Sequence, residues 1–322
     1  MNGTRQTWVV ILAGGEGTRL AALTADSDGN HVPKQFCSLA NGGSLLDDAL
    51  SRAERVTSLD HILVIVAREH RRWWGPIVAH LPKDNVIVQP CNRGTGNGVL
   101  LTLLHVRHRD PDATLVFLPA DHFVRDEHAI SQSIHEAIEW LSDQPGQVLL
   151  LGITPDDPDP ELGYIVPAET GSGRVLPVRE FVEKPNPAFA RKLLSRGSVW
   201  NSFIFAAQAS ALMVMLMRRH HRVMHAVRLA LERENWPARG GETVAATYEA
   251  LPIIDFSRHV VEGAEDMLHV LPVPACGWTD LGTPQRVGQC VIRLAFERHA
   301  PRAREVPYLS LATAFARQRL AV

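Results

Sequence analysis

The sequence predicts an α/β protein: a mostly parallel, mixed β-sheet with helices on both faces. Three observations carry that expectation. First, short apolar runs rich in β-branched residues recur through the first half: "WVVILA", "HILVIVA", "NVIVQ", "TLVFLPA" and "QVLLLGI". Second, the segments between them, such as "SLLDDALSRAERV", "GVLLTLLHVRH" and "HAISQSIHEAIEWL", place apolar residues at helical spacing, and strand–helix alternation of this kind builds parallel sheets covered on both sides. Third, the pattern changes in the second half. There "GYIVP", "RVLPVREFVEKP", "SFIFAA" and "MLHVLPV" read as strands with longer, less regular connections, around a helical insertion near 207–250.

Within this framework, Ser44 followed by Asp47 reads as a capping box opening the first helix. No repeat, low-complexity run or Pro/Gly-rich linker divides the chain. Residues 1–300 therefore read as one domain and 301–322 as a short tail. The tail segment "SLATAFARQRL" has amphipathic spacing, suited either to a homodimer contact or to packing on its own domain.

Composition narrows the function classes. The chain has 322 residues, 45% apolar and 21% charged, with a formal net charge of −2. That balance gives no basic footprint for nucleic acid or an anionic membrane. No apolar run approaches a membrane span, and the N-terminus lacks the layout of a signal peptide, so a cytoplasmic location is expected. Cys37, Cys91, Cys276 and Cys290 are scattered without C-x-x-C spacing, which suits reduced thiols. His221 and His225 stand four apart within "RRHHRVMHAV", where they read as the basic face of an amphipathic helix rather than as metal ligands.

The informative residues sit where strands end. The first strand runs into "GGEGTR", with Gly14, Gly15 and Gly17 ahead of Arg19. Glycines allow close backbone approach with N–H groups turned outward, and an arginine one turn later offers fork geometry to phosphate oxygens. Neither common phosphate loop fits. Leu20 occupies the third glycine position of a dinucleotide fingerprint, and no Lys-Ser or Lys-Thr follows as in a P-loop. Nearby lies "PKQF" with Lys34. The third strand ends at Gln89, before a second glycine-rich turn with Arg93. The fourth ends in "LPADH" with Asp121, and later strands end or begin at "FVEKP", "WNS" and "WTDLGT".

Each of these residues has a bland reading, Asp121 as a helix cap, Lys184 as a solvated charge, Asn201 as a turn residue. Strand ends in such a sheet lie side by side, however, and ligands bind there. Two phosphate-cradling loops, Arg19, Lys34 and two isolated acids, Asp121 and Asp280, point to a nucleoside triphosphate with Mg²⁺. That ion takes one or two carboxylates and completes its shell with phosphate and water. Lys184 then suits the phosphate of a second substrate, whose ionised oxygen needs no general base.

The segments "LAGGEGTRL", "PKQF", "QPCNRGTG", "LPADH", "GITP", "GYI", "FVEKP", "WNS", "IIDFSRHVVE" and "WTDLGT" occur in that order over about residues 8–285. In this the chain resembles the sugar-1-phosphate nucleotidylyltransferases, most of all the mannose-1-phosphate guanylyltransferase branch. The resemblance implies a Rossmann-like fold of the nucleotide-diphospho-sugar transferase type, and transfer of a nucleotidyl group from GTP to mannose 1-phosphate. It implies that Gly14, Gly15, Gly17, Thr18, Arg19 and Lys34 hold the triphosphate. Gln89, Arg93, Gly94 and Thr95 would face the nucleobase and ribose, Asp121 and Asp280 would bind Mg²⁺, and Gly163, Glu183 and Asn201 would contact the sugar, with Lys184 on its phosphate. Arg19, Lys34, Asp121 and Lys184 would carry the catalysis.

The departures concern mainly the sugar. Phe203 follows "WNS" where the family usually has glycine, and "ELGYI" replaces a Thr-Gly-Tyr-Gly-Tyr-Ile run, placing Leu162 near the sugar. Gly96 and Asn97 replace small or proline residues, and His31-Val32 a serine-rich lead-in. Two rival readings stay open on sequence: a nucleotidylyltransferase for another sugar phosphate or base, and a catalytically silent sugar-nucleotide-binding regulator.

Overall fold

In a computed structural model, which describes residues 5–26, 29–39, 42–169, 173–297 and 310–314, the apolar runs become the strands of one nine-stranded sheet. The first half contributes β1 (Thr7–Ala13), β2 (Ile62–Ala67), β3 (Val86–Gln89), β4 (Thr114–Pro119) and β5 (Val148–Ile153). The second contributes β6 (Gly163–Pro167), β7 (Leu176–Glu183), β8 (Val199–Gln208) and β9 (Leu268–Val273). The order is β3-β2-β1-β4-β8-β5-β9-β7-β6. β1 pairs in parallel with β2 and β4, β2 with β3, and β5 with β9. β8 enters antiparallel between β4 and β5. β6 and β7 form an antiparallel pair whose outer strands meet β8 and β9, so five strands close into a circuit of pairings. The mixed sheet expected from sequence is thus the sheet observed.

The continuous apolar character of the strands follows from burial on both faces. Along β1, Val9, Ile11 and Ala13 enter one core cluster while Trp8 and Val10 enter the other. The first cluster is covered by α1 (Leu45–Glu54), α2 (Arg71–Ile77), α4 (Glu127–Asp143), α5 (Pro187–Ser195) and α8 (Pro284–Glu297). The second is covered by α3 (Thr95–Arg109), α6 (Ala209–Arg233) and α7 (Glu242–Ala250). The last two form the helical insertion foreseen near 207–250.

Local signals hold where they matter. Ser44 Oγ accepts the Asp47 amide at 3.2 Å while Asp47 accepts the Ser44 amide at 2.7 Å, completing the capping box of α1. The cap of α4 is Asp126, which accepts the amides of His128 and Ala129; Asp121 is therefore not a cap. The four cysteines form no disulfide with one another. His221 and His225 are exposed on α6, and among the described residues no three His, Cys, Asp or Glu side chains are grouped to hold a metal by themselves. No described helix is long and apolar enough to cross a membrane. Of the tail, residues 310–314 pack on their own domain: Leu311 is fully buried and its amide donates to the Ser38 carbonyl at 2.8 Å. The rest of the proposed tail helix lies outside the described residues.

β1, β2 and β3 are laid down in one direction, and the chain then returns to place β4 on the other side of β1. The carboxyl ends of β1 and β4 therefore flank a topological switch point, where open α/β sheets bind ligands.

Candidate active site

A cleft of about 400 Å³ opens at that switch point. It collects most of the residues picked out from sequence. Gly14, Gly15, Gly17 and Arg19 line it after β1, Gln89, Gly94 and Thr95 after β3, and Asp121 after β4. Gly163, Glu183, Lys184 and Asn201 line it from β6–β8, and Asp280 from the loop before α8. The sheet order sets their sequence across the cleft: Gln89 at one end, the glycine loop and Asp121 centrally, the β6–β8 residues at the other end.

The glycine loop is shaped by close approach. Gly17 has φ +65°, and a Cβ there would lie 2.9 Å from the Lys34 amide nitrogen. Gln35 of "PKQF" braces the loop by donating to the carbonyls of Ala13 and Gly15 at 3.0 and 2.8 Å. Asn92 ties this loop to the second glycine turn through Glu16, at 3.0 Å. Arg19 reaches across the mouth of the cleft to Glu161, at 3.1 Å. Sequence reasoning gave no role to Gln35, Asn92 or Glu161, whose residue types carry no distinguishing signal.

Three expected residues do not line the cleft. Thr18 sits in the turn behind the glycines. Arg93 turns its guanidinium to the carbonyls of Tyr248 and Glu249, at 3.0 and 2.6 Å, pinning the glycine turn to the end of α7. Asn97 continues that clamp to the Arg93 and Pro252 carbonyls. A Cβ on Gly96 would lie 2.4 Å from Ile254 Cγ2, so glycine here is a packing requirement. The third is Lys34, which is buried; its ammonium pairs with Asp121 at 2.9 Å while donating to the Asp280 carbonyl at 2.6 Å, so it ties the two acidic loops together.

The two acidic loops meet through a bridge in which Phe123 and Thr279 exchange amide hydrogen bonds of 2.9 Å. Burial pushes the Asp121 carboxyl up, but the Lys34 ammonium and His122 outweigh it and hold the group below the ordinary range. Asp280 is only 8% exposed. Burial raises its carboxyl too, and Arg286, His122 and Lys34 more than reverse this. Both acids are thus ionised at neutral pH. His122 beside them is driven toward its neutral form by burial, against the pull of Asp121. The donor set facing the cleft here is two carboxylates without a thiolate, which fits a hard divalent cation completing its shell from substrate and water.

At the other end Gly163 pairs with Glu183 across β6 and β7. A Cβ on Gly163 would lie 2.6 Å from Glu183 Oε2. Burial, then the nearby Asp255, push the Glu183 carboxyl up to about 7. Lys184 lies 3.8 Å from it, with a left-handed backbone at φ +50°. Asp255 and Ser257, from the "IIDFSR" stretch, complete this end; Ser257 accepts from Asn201 at 3.3 Å.

At Phe203 the backbone departs from a regular strand. β8 carries a bulge here, with Leu150 opposite Phe205 but Gly152 opposite Asn201, and Phe203 has φ +59°. Asn201 stabilises the turn by accepting the Phe203 amide at 3.0 Å. The position therefore demands the backbone that glycine adopts freely. The ring meets Phe205 and Phe256 edge-on, with centroids 6.1 and 6.0 Å away, and also borders the cleft beside Leu162. Phe203 and Phe205 still share a face.

Residues 8–290 match the family model described as nucleotidyl transferase. The chain belongs to this family. It is 30% identical over 280 residues to the alginate biosynthesis protein AlgA of Pseudomonas aeruginosa, covering 85% of this chain and 56% of that protein. To the mannose-1-phosphate guanylyltransferase of Escherichia coli it is 28% identical over 283 residues, 85% of this chain and 57% of that one. It thus spans little more than half the length of these relatives. Among solved structures, a mannose-1-phosphate geranyltransferase from Thermus thermophilus is 30% identical with a TM-score of 0.73, over 88% of this chain and 79% of that one. A putative glucose-1-phosphate thymidylyltransferase from Bacillus anthracis shares the fold at 18% identity, with a TM-score of 0.56 over 92% of this chain and 98% of that one.

Proposed function

We propose that this nucleotidyl transferase joins a sugar 1-phosphate to a nucleoside triphosphate, with GTP and mannose 1-phosphate as substrates and pyrophosphate as the other product. The observation that carries the reading is the order of groups along the cleft. The glycine loop with Arg19 and the Asp121–Lys34–Asp280 cluster lie between a base end at Gln89 and a polar end at Glu183, Lys184 and Asn201. A phosphate oxygen of the sugar phosphate, held by Lys184, would attack the α-phosphorus. The bond to the β-phosphate oxygen breaks, and pyrophosphate leaves against Arg19 and the glycine-loop amides. The attacking oxygen is already ionised, so positioning and charge neutralisation supply the catalysis. Asp121 and Asp280 would hold Mg²⁺, which neutralises triphosphate charge when bound. The choice of mannose and guanine rests on the relatives named for that reaction.

A second reading, another sugar, is favoured by Phe203 and Leu162, which put apolar surface at the sugar end. Pyrophosphate release tests all of these. GTP with mannose 1-phosphate should give steady release. Release only with a different sugar 1-phosphate or triphosphate would replace the assignment, and none with any pair would leave a binding protein.

A further inference from the structure

Each of the two acids assigned to the metal already carries a cation of the protein. Asp121 has Lys34 at 2.9 Å. Asp280 has Arg286, the third residue of α8, whose Nη1 donates to Asp280 Oδ1 while Nη2 donates to Asp159 Oδ2. The Gly282 amide donates to the same Asp280 Oδ1 at 3.1 Å. The side chains of Asp280 and Arg286 are 11% and 13% exposed, so solvent screens this pair little. Asp159 borders a neighbouring cavity and not the cleft, so Arg286 reaches Asp280 from behind the site.

We propose that Arg286 stands in for the divalent cation at Asp280 in the free enzyme, so that the metal is taken up with the bound triphosphate and not before it. This rests on reading Asp121 and Asp280 as the metal acids. A divalent ion at Asp280 must share the carboxylate with a guanidinium only ångströms away, and like charges that close repel strongly in a poorly solvated site. Among the described residues no third ligating side chain offsets that repulsion. A triphosphate on the glycine loop does, because it brings negative charge and oxygen ligands together.

Arg286 also acts as a positioning residue. Asp159 accepts the Glu161 amide at 2.8 Å, and Glu161 pairs with Arg19 next to Gly163. Through Asp159, Arg286 thus anchors the loop that carries Glu161.

The test uses Mn²⁺ as the probe on the full chain, with and without GTP, followed by water-proton relaxation enhancement, which separates protein-bound from GTP-bound ion. Wild type should bind Mn²⁺ at least about tenfold tighter with GTP than without, a coupling of ordinary size. Arg286→Gln should tighten nucleotide-free binding roughly tenfold, a fraction of what a neighbouring unit charge exerts. Arg286→Lys, which keeps the charge, should stay near wild type. Folded Arg286→Gln that binds Mn²⁺ no tighter than wild type without GTP would overturn the proposal. So would wild type that binds equally well with and without GTP, a measurement that needs no variant. Asp280→Asn binding Mn²⁺ as wild type does in the presence of GTP would instead remove the metal assignment itself.

Discussion

Replacing Phe203 separates backbone strain from side-chain packing, because the position combines φ +59° with a half-buried ring. Losing a fully buried phenylalanine to alanine costs about 3–5 kcal/mol, so a half-buried one should cost roughly 2. Holding any Cβ in the left-handed region costs about 1–2 kcal/mol, which glycine escapes, less ~0.5–1 for glycine's greater freedom when unfolded. Phe203→Ala should therefore lose about 2 kcal/mol and Phe203→Gly about 1–2, reversing the usual order of alanine over glycine within a strand. At roughly 2 °C per kcal/mol for a chain of this length, melting should fall about 4 °C for alanine and about 2–4 °C for glycine. Both variants also open the sugar end, where a change of about a methylene shifts discrimination by ~1–3 kcal/mol. The assay is thermal unfolding of both variants beside a panel of sugar 1-phosphates. An alanine variant clearly more stable than the glycine variant would refute the strained backbone. An unchanged order of sugar preference would refute a role for the ring in selecting the sugar.

Further outcomes follow from the same cleft. Asp121→Asn should fold and lose about 10²–10³ in kcat, as loss of a preorganised charge does; near-wild-type turnover at saturating Mg²⁺ would remove it as a metal acid. Lys184→Ala should raise KM for the sugar phosphate and Arg19→Ala that for GTP. Glu161→Gln, which frees Arg19 from an exposed pair worth ~0.2–1 kcal/mol, should lower KM for GTP by about fivefold at most; equal effects of Lys184→Ala on both substrates would sink the division. Glu183, with its carboxyl raised to about 7, should make KM for the sugar phosphate fall as pH rises through 7, because the carboxylate is the stronger acceptor for sugar hydroxyls. Glu183→Gln should abolish that inflection while sparing one near 6 from the substrate phosphate. Since Glu183 ionises later folded than unfolded, it also subtracts stability as pH rises from about 4.5 to 7, and the glutamine variant should lose less in that window.

Much of this was legible in the chain because it is local. Continuous apolar runs at β1–β5 announce strands buried on both faces, helical spacing announces the covering helices, and Ser44 with Asp47 announces a cap. Glycines followed by Arg19, and acids directly after strands, mark the cleft because sheet topology brings strand ends together. What sequence alone left undecided are contacts between segments far apart in the chain. Lys34 reads as a phosphate ligand, and only folding shows its ammonium lying between Asp121 and the carbonyl of Asp280. Arg93 reads as a base contact, yet its fork is consumed by two carbonyls at the end of α7. Arg286 carries no motif at all and gains its place only because α8 points it at Asp280 and Asp159 together. Phe203 departs visibly from the family pattern, but its left-handed backbone follows from a bulge against β5. Periodicity and turn chemistry act between neighbours in sequence and can be read from them. The partner of a charge is set by burial and chain crossing, and only the tertiary structure decides it.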